Sequence, residues 1–264
     1  MNLLKYQSKI KRKCIYKTSN DIYVYQSGDY RWILFNDLYI QTMINIKKPK
    51  KTILPYLDPL LTFTRLQPGP ICLLGLGGGG AIHALHDSKI DLTAVEKYPE
   101  MIKIAQQFFY IHEHEKVKII CESADIFLQN NTKKFEHLII DLGDHFGFPS
   151  ECRNSAFFEN SYHAIAENGI LALNLTQHAD IADFKQIITQ VFGHKPLILQ
   201  AAGNWLLIIK KNAHGRDELI ELMQRNHLIK NFIWDIGFGE SIILTRQIER
   251  HLRRLQHKLF KWMI

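Results

Sequence analysis

Two kinds of apolar pattern divide the chain. Between Cys14 and Ile46 apolar and polar positions alternate with the period of two that marks half-buried strands. Ile22, Val24 and Gln26 alternate with Tyr23 and Tyr25, and Ser27-Gly28-Asp29 makes a turn before Tyr30–Phe35. Asn36-Asp37 marks a second turn ahead of Leu38–Ile46, so a small antiparallel unit is expected here. The basic, proline-punctuated stretch Lys47–Pro55 ends it. A helix at Pro59–Arg65 follows, closed by Pro68-Gly69-Pro70.

From Ile71 the pattern becomes strand–helix alternation. Ile71–Leu74 is short and wholly apolar, as a parallel strand buried on both faces must be. Further strands are expected at Leu92–Val95, Val117–Cys121, Leu138–Ile140 and Ile170–Leu173. Helices are expected after the glycine-rich residues 75–80 and up to His86, at Pro99–Phe109, Asp125–Gln129 and Ile181–Val191, and at Ser155–Ala166 with Asn168-Gly169 as its stop. Leu197–Leu199 and Trp205–Ile209 flank Gly203-Asn204 as a hairpin. The fold class is therefore α/β, a doubly wound, Rossmann-like sheet of the class-I methyltransferase type with a small N-terminal antiparallel β unit and C-terminal helices. Three regions are expected: residues 1–54, the cofactor domain 55–212, and a helical extension 213–264. The last holds helical patterns at Arg216–Asn226 and Thr245–Trp262 around Gly237-Phe238-Gly239. Ile248, Leu252, Leu255, Leu259 and Trp262 share one face of the second, which is expected to pack against protein.

Composition narrows the class. At 264 residues, 46% hydrophobic and 22% charged, the chain has room for one sizeable core and a small flanking unit. The start MNLLKYQSKIKRKC lacks the apolar core of a secretory signal, and no stretch approaches the roughly 20 apolar residues that cross a bilayer. Cys14, Cys72, Cys121 and Cys152 are far apart without CxxC spacing; Cys72 and Cys121 lie in apolar runs and are expected to be buried. Reduced thiols and a cytoplasmic location are expected. The net charge of +7 gathers in Lys9–Lys13, Lys47–Lys51 and Arg246–Lys261, a distribution read as solvated basic faces. His112 and His114 have no third ligand at metal spacing, so no metal is expected.

The candidate chemistry sits at two strand ends. ICLLGLGGGGAIHAL reads strand, glycine turn, helix, a layout in which backbone can approach a ligand and a helix N-terminus offers free donors. Glu96 ends the second strand about twenty residues beyond Gly75, where a carboxylate accepts both ribose hydroxyls of an adenosyl ligand. Gly75, Gly77, Gly79 and Glu96 are thus the cofactor candidates. The layout serves nicotinamide as well as sulfonium cofactors; the helix-then-hairpin ending and a second acidic loop, LIIDLGDHFGFP, favour the sulfonium. Asp141 and Asp144 in that loop can attract a cationic amine, and one can take its proton, because a nucleophilic nitrogen must be neutral.

Over roughly residues 20–211 the chain resembles the spermidine synthase (polyamine aminopropyltransferase) family. NDLYIQ resembles its "DGVIQ" turn, Tyr56-Leu57-Asp58 its Tyr-x-Glu, GLGGGG its "GGGDGG", VEKY its "VEID", DLGDHFGFP its "DSTDPxGP", and Asn160–Gly169 its "FYxxxxxxLxPGG", with Tyr162 on the tyrosine. The resemblance implies decarboxylated S-adenosylmethionine as co-substrate without a metal, Glu96 on the ribose, Ser123 near the adenine, and Asp141 as general base beside the cofactor. It places Gln41, Tyr56 and Asp144 on the substrate side. The chain departs from the family at Gly78 (an aspartate that holds the cofactor's amine-bearing chain), at Glu122-Ser123 (a Gly-Asp), at His145 (a proline), and in lacking a tyrosine between Leu199 and Gly203. The expected partners are a small-molecule amine and a second copy of the chain in a homodimer, with nucleic acid not expected. The alternatives are a methyltransferase using S-adenosylmethionine itself, and a non-catalytic homologue that binds an adenosyl ligand or a partner.

Overall fold

The computed structural model describes residues 12–35, 39–85, 91–111, 116–143, 147–201, 203–226, 232–235 and 241–244. The alternating N-terminal region forms four antiparallel strands in the order β1 (Lys13–Lys17), β2 (Ile22–Ser27), β3 (Tyr30–Phe35) and β4 (Tyr39–Asn45). Ile22, Val24, Ile33 and Ile44 point to one face, the consequence of period-two geometry, and pack on Met101, Ile104 and Phe109. Those three residues belong to helix α4 (Pro99–Phe109), which Pro99 opens at its first turn. Arg31 ties the two together, donating to the carbonyl of Phe108 and to Gln26 Oε1.

The strand–helix region builds the large sheet. Its strands are β5 (Ile71–Leu74), β6 (Leu92–Glu96), β7 (Val117–Cys121), β8 (Phe135–Ile140), β9 (Ile165–Leu175), β10 (Leu197–Ala201), β11 (Asn204–Lys210), β12 (Phe232–Asp235) and β13 (Ser241–Leu244). They lie in the order β12-β13-β10-β11-β9-β8-β5-β6-β7. Strands β5 to β9 pair in parallel, and β11 inserts antiparallel between β9 and β10. Alternate residues of β5 enter opposite cores. Ile71 and Leu73 join Leu60, Ile82 and Met223 on one side; Cys72 and Leu74 join Phe127, Phe158 and Phe184 on the other. The helices are α1 (Leu57–Leu60), α2 (Thr62–Leu66), α3 (Gly80–Leu85), α4, α5 (Ala124–Asn130), α6 (Ser155–Ala164), α7 (Ile181–Phe192) and α8 (Gly215–Arg225). The chain leaves β5 toward β6 and β7, then returns to lay β8 on the other side of β5. That reversal opens a crevice at the carboxyl ends of β5 and β8.

Three expectations are corrected. Helix α6 stops at Ala164, and Asn168-Gly169 is no helix stop but part of β9. The β8–β9 register jumps there, from Phe135↔Ile165 to His137↔Ile170, so the extra residues form a bulge. The C-terminal region is not solely helical: β12 and β13 extend the sheet beyond β10, with β13 parallel to it. Runs as short as FIWD and SIIL carry too few residues to show a period. Cys121 is exposed rather than buried, because β7 is an edge strand and its ends face solvent. The expected helix Thr245–Trp262 lies outside the described residues, as do His112 and His114. Among the described residues no helix is long and apolar enough to cross a membrane.

Candidate active site

The crevice is lined from two sides, and each side contributes one carboxylate. On the first side β5 runs into the glycine turn. Gly75 holds φ at +93°, and a Cβ there would lie 2.3 Å from the carbonyl oxygen of Asp141. Only glycine lets the turn pass this close to the end of β8. Gly77 and Gly79 also have positive φ, and Cβ atoms on them would strike Thr42 Oγ1 and Ile111 Cγ2. The glycines therefore let the turn wedge between β8, β4 and the chain beyond α4. Leu76 donates its N–H to Glu96 Oε2 at 3.2 Å, and Tyr98 donates to Oε1 at 3.0 Å. Burial pushes the Glu96 carboxyl above the usual range, while the N–H groups of Tyr98, Leu76, Gly77 and Lys97 pull it back. Glu122 donates to the Glu96 carbonyl, which sets Ser123 directly beyond it as the N-cap of α5. The Ser123 hydroxyl makes no capping bond to that helix.

On the second side β8 delivers Asp141. Its N–H is held by Leu74 O at 2.9 Å, continuing the β5–β8 ladder one residue past the strand. Tyr56, just before α1, donates its hydroxyl to Asp141 Oδ2 at 3.0 Å. Asn174, near the end of β9, donates to Oδ1 at 2.7 Å, and Asn204 at the start of β11 donates to Asn174 Oδ1 at 2.9 Å. Burial raises the Asp141 carboxyl, with the Asn174 and Tyr56 bonds opposing. Burial and the neighbouring Asp141 together raise Tyr56 well above an ordinary phenol.

Gln41 lies on β4 with its carbonyl beside Gly77, and its neighbour Thr42 accepts the N–H of Gly78 at 2.8 Å. A Cβ on Gly78 would stand 2.7 Å from Thr42 Cγ2 and 3.1 Å from Phe109 Cδ1. Thr42 thus fills the place a side chain at 78 would need. The structure brings Gln41, Tyr56, Gly75, Gly77, Gly79, Glu96, Ser123 and Asp141 to this one end of the sheet; Asp144 lies outside the described residues. Tyr162 sits elsewhere, edge-on to Phe192 and beneath the Lys211 ammonium. Asn174 and Asn204 were not among the expected residues. The available signal was an amide closing the apolar run ILALN at a strand's carboxyl end. No group of three potential metal ligands occurs among the described residues.

Beyond Gly147 the chain is pinned over this end. Phe148 packs edge-on against Phe184, Lys97 pairs with Glu151 at 2.9 Å, and Arg153 with Asp180 at 2.6 Å.

Sheet order and crevice define a Rossmann-like α/β protein. The chain belongs to the spermine/spermidine synthase family, whose domain model matches residues 59–199. A polyamine aminopropyltransferase of Clostridium beijerinckii is 25% identical over 157 residues, covering 52% of this chain and 54% of that protein. The chain spans about half or less of the length of the curated relatives it matches first, 54% and 38%. Spermidine synthase from Thermotoga maritima has a similar fold, with TM-score 0.61 and 19% identity over 76% of this chain and 73% of that one. A probable spermidine synthase from Corynebacterium glutamicum gives 0.64 and 17% over 88% and 90%.

Proposed function

We propose that the protein is a transferase that binds an adenosyl-sulfonium co-substrate and moves the aminopropyl group of decarboxylated S-adenosylmethionine to a small-molecule amine. The observation that carries this reading is Asp141: a carboxylate at the crevice, bonded by the neutral donors Tyr56 and Asn174, with its acidity weakened by burial. Such a group attracts an ammonium and is a stronger base than an exposed aspartate. The residues fit the co-substrate. Glu96 is an acceptor at the mouth of the glycine turn, where it would take the ribose hydroxyls, and the Ser123 hydroxyl is not committed to capping its helix. Gly75, Gly77 and Gly79 would shape the turn beneath the ligand, and Gln41 and Tyr56 would serve the substrate side; the family resemblance assigns Asp144, which lies outside the described residues, to the same side. The sulfonium supplies an electrophilic carbon. Asp141 would orient the acceptor nitrogen and take its proton as the new C–N bond forms and the C–S bond breaks, its electron pair staying on sulfur so that neutral methylthioadenosine leaves.

A second reading is methyl transfer from S-adenosylmethionine itself. Gly78 favours it, since Thr42 and Phe109 leave no room for an acid that would hold the ammonium of the aminopropyl arm. The test is product mass after incubation with a diamine and either co-substrate. A propylamine increment from the decarboxylated form supports the first reading; a methyl increment from S-adenosylmethionine alone replaces it with the second. Oligomeric state is tested by light scattering, with a homodimer expected.

A further inference from the structure

Asp141 is one end of a directional chain of amides. An ionised carboxylate only accepts, so Asn174 must turn its Nδ2 toward Asp141 Oδ1, at 2.7 Å. That leaves Asn174 Oδ1 facing the other way, where it needs a donor. Asn204 Nδ2 supplies it at 2.9 Å. The two asparagines lie on neighbouring antiparallel strands, with Asn174 opposite Leu206, which makes Asn204 its diagonal neighbour two residues away. Asn174 is buried within a strand that is otherwise apolar at its end, an expensive place for an amide without a fixed set of partners. Tyr56 holds the opposite carboxylate oxygen at 3.0 Å and is the one titratable side chain bonded to Asp141 among the described residues. The carboxylate is therefore clamped at both oxygens by neutral donors, one lone pair on each remaining for a substrate.

We propose that Asn174 and Asn204 are positioning residues for the transfer reaction: Asn204 locks the Asn174 amide so that its donor, not its acceptor, faces Asp141. This rests on the reading of Asp141 as the base. With Asn174 replaced, the carboxylate turns about its side-chain bond and loses the donor that opposes its desolvation. With Asn204 replaced by aspartate, the relay is forced to reverse. A carboxylate at 204 accepts from Asn174 Nδ2, and Asn174 Oδ1 then confronts Asp141.

The test is kinetics with decarboxylated S-adenosylmethionine and a diamine, plus carboxyl-carbon NMR titration of Asp141, on Asn174→Leu, Asn204→Ala, Asn204→Asp and Asp141→Asn. Asn174→Leu should lower kcat about tenfold, the order of one hydrogen bond, with KM for the sulfonium unchanged. The Asp141 titration and the acid limb of kcat/KM should both move to higher pH. Asn204→Ala, at a half-exposed strand start, should do the same more weakly, and Asn204→Asp more strongly than Asn204→Ala. An unmoved titration in Asn174→Leu, or Asn204→Asp no worse than Asn204→Ala, overturns the relay. If Asp141→Asn turns over at the wild-type rate, it is the base reading that falls, whatever the asparagine variants do.

Discussion

The two acids of the crevice are held by different means. Glu96 is gripped by backbone: Leu76 and Tyr98 donate main-chain N–H groups from the turn before it and the residues after it. Asp141 is gripped by side chains: Tyr56 and Asn174, with Asn204 behind, converge from three other segments of the chain. Burial raises both carboxyls. A backbone cradle depends on the path of the chain and tolerates changes in side chain. A side-chain cradle can be altered one residue at a time without disturbing the fold. The Glu96 side is built to stay constant, the Asp141 side to be tuned.

The sharpest way to break this contrast is to disturb the backbone path. Gly75→Ala sets a methyl against the Asp141 carbonyl at a φ of +93°. Overpacking and left-handed strain together should cost about 2–5 kcal/mol, read as a lower denaturation midpoint with unchanged slope. Both acids should lose function together. Asp141→Asn changes one cradle alone. Turnover should fall by about 10²-fold or more, about 2.7 kcal/mol of barrier, while the protein stays folded. Thr42→Ala strips the buried Gly78 N–H of its acceptor and should cost about 1–3 kcal/mol of stability. The loss should appear as loosened docking of the N-terminal sheet, measured by amide exchange at Gly78 and along β4.

The smallest expected effect is in pH dependence. A carboxyl raised in the folded state contributes stability that is full below its unfolded pKa, about 3.9 for aspartate, and is lost as pH rises through the folded value. Wild type should therefore lose melting temperature relative to Asp141→Asn from about pH 4 upward. The variant should melt higher at neutral pH, and the two should converge toward pH 4. A variant that melts lower at pH 7 would show that the carboxylate stabilises the fold.

The same contrast explains what could be read in advance. Pro99–Phe109 and Val117–Cys121 have the bounds their patterns predict, because a proline start with amphipathic spacing, and an apolar run, are local signals. The glycine turn and Glu96 are also local, twenty residues apart with helix α3 and strand β6 as the elements between them. The clamp on Asp141 is not local. Tyr56, Asn174 and Asn204 are 85, 33 and 30 residues from the groups they bond, and nothing in the spacing announces those pairs. The bulge at Asn168-Gly169 was hidden by chemistry that serves equally as a helix stop. Strands β12 and β13 join the sheet by pairing with β10, a tertiary contact no local pattern reveals.

If Glu96 serves the co-substrate and Asp141 the acceptor within one crevice, calorimetric titration with methylthioadenosine separates the two acids. Wild type and Asp141→Asn should bind with closely similar affinity, and Glu96→Ala should bind at least tenfold more weakly, as loss of charged hydrogen bonds requires. Equal affinity in Glu96→Ala and wild type would remove Glu96 from the ligand site, and preferential binding of NAD would replace the sulfonium co-substrate with a nicotinamide one.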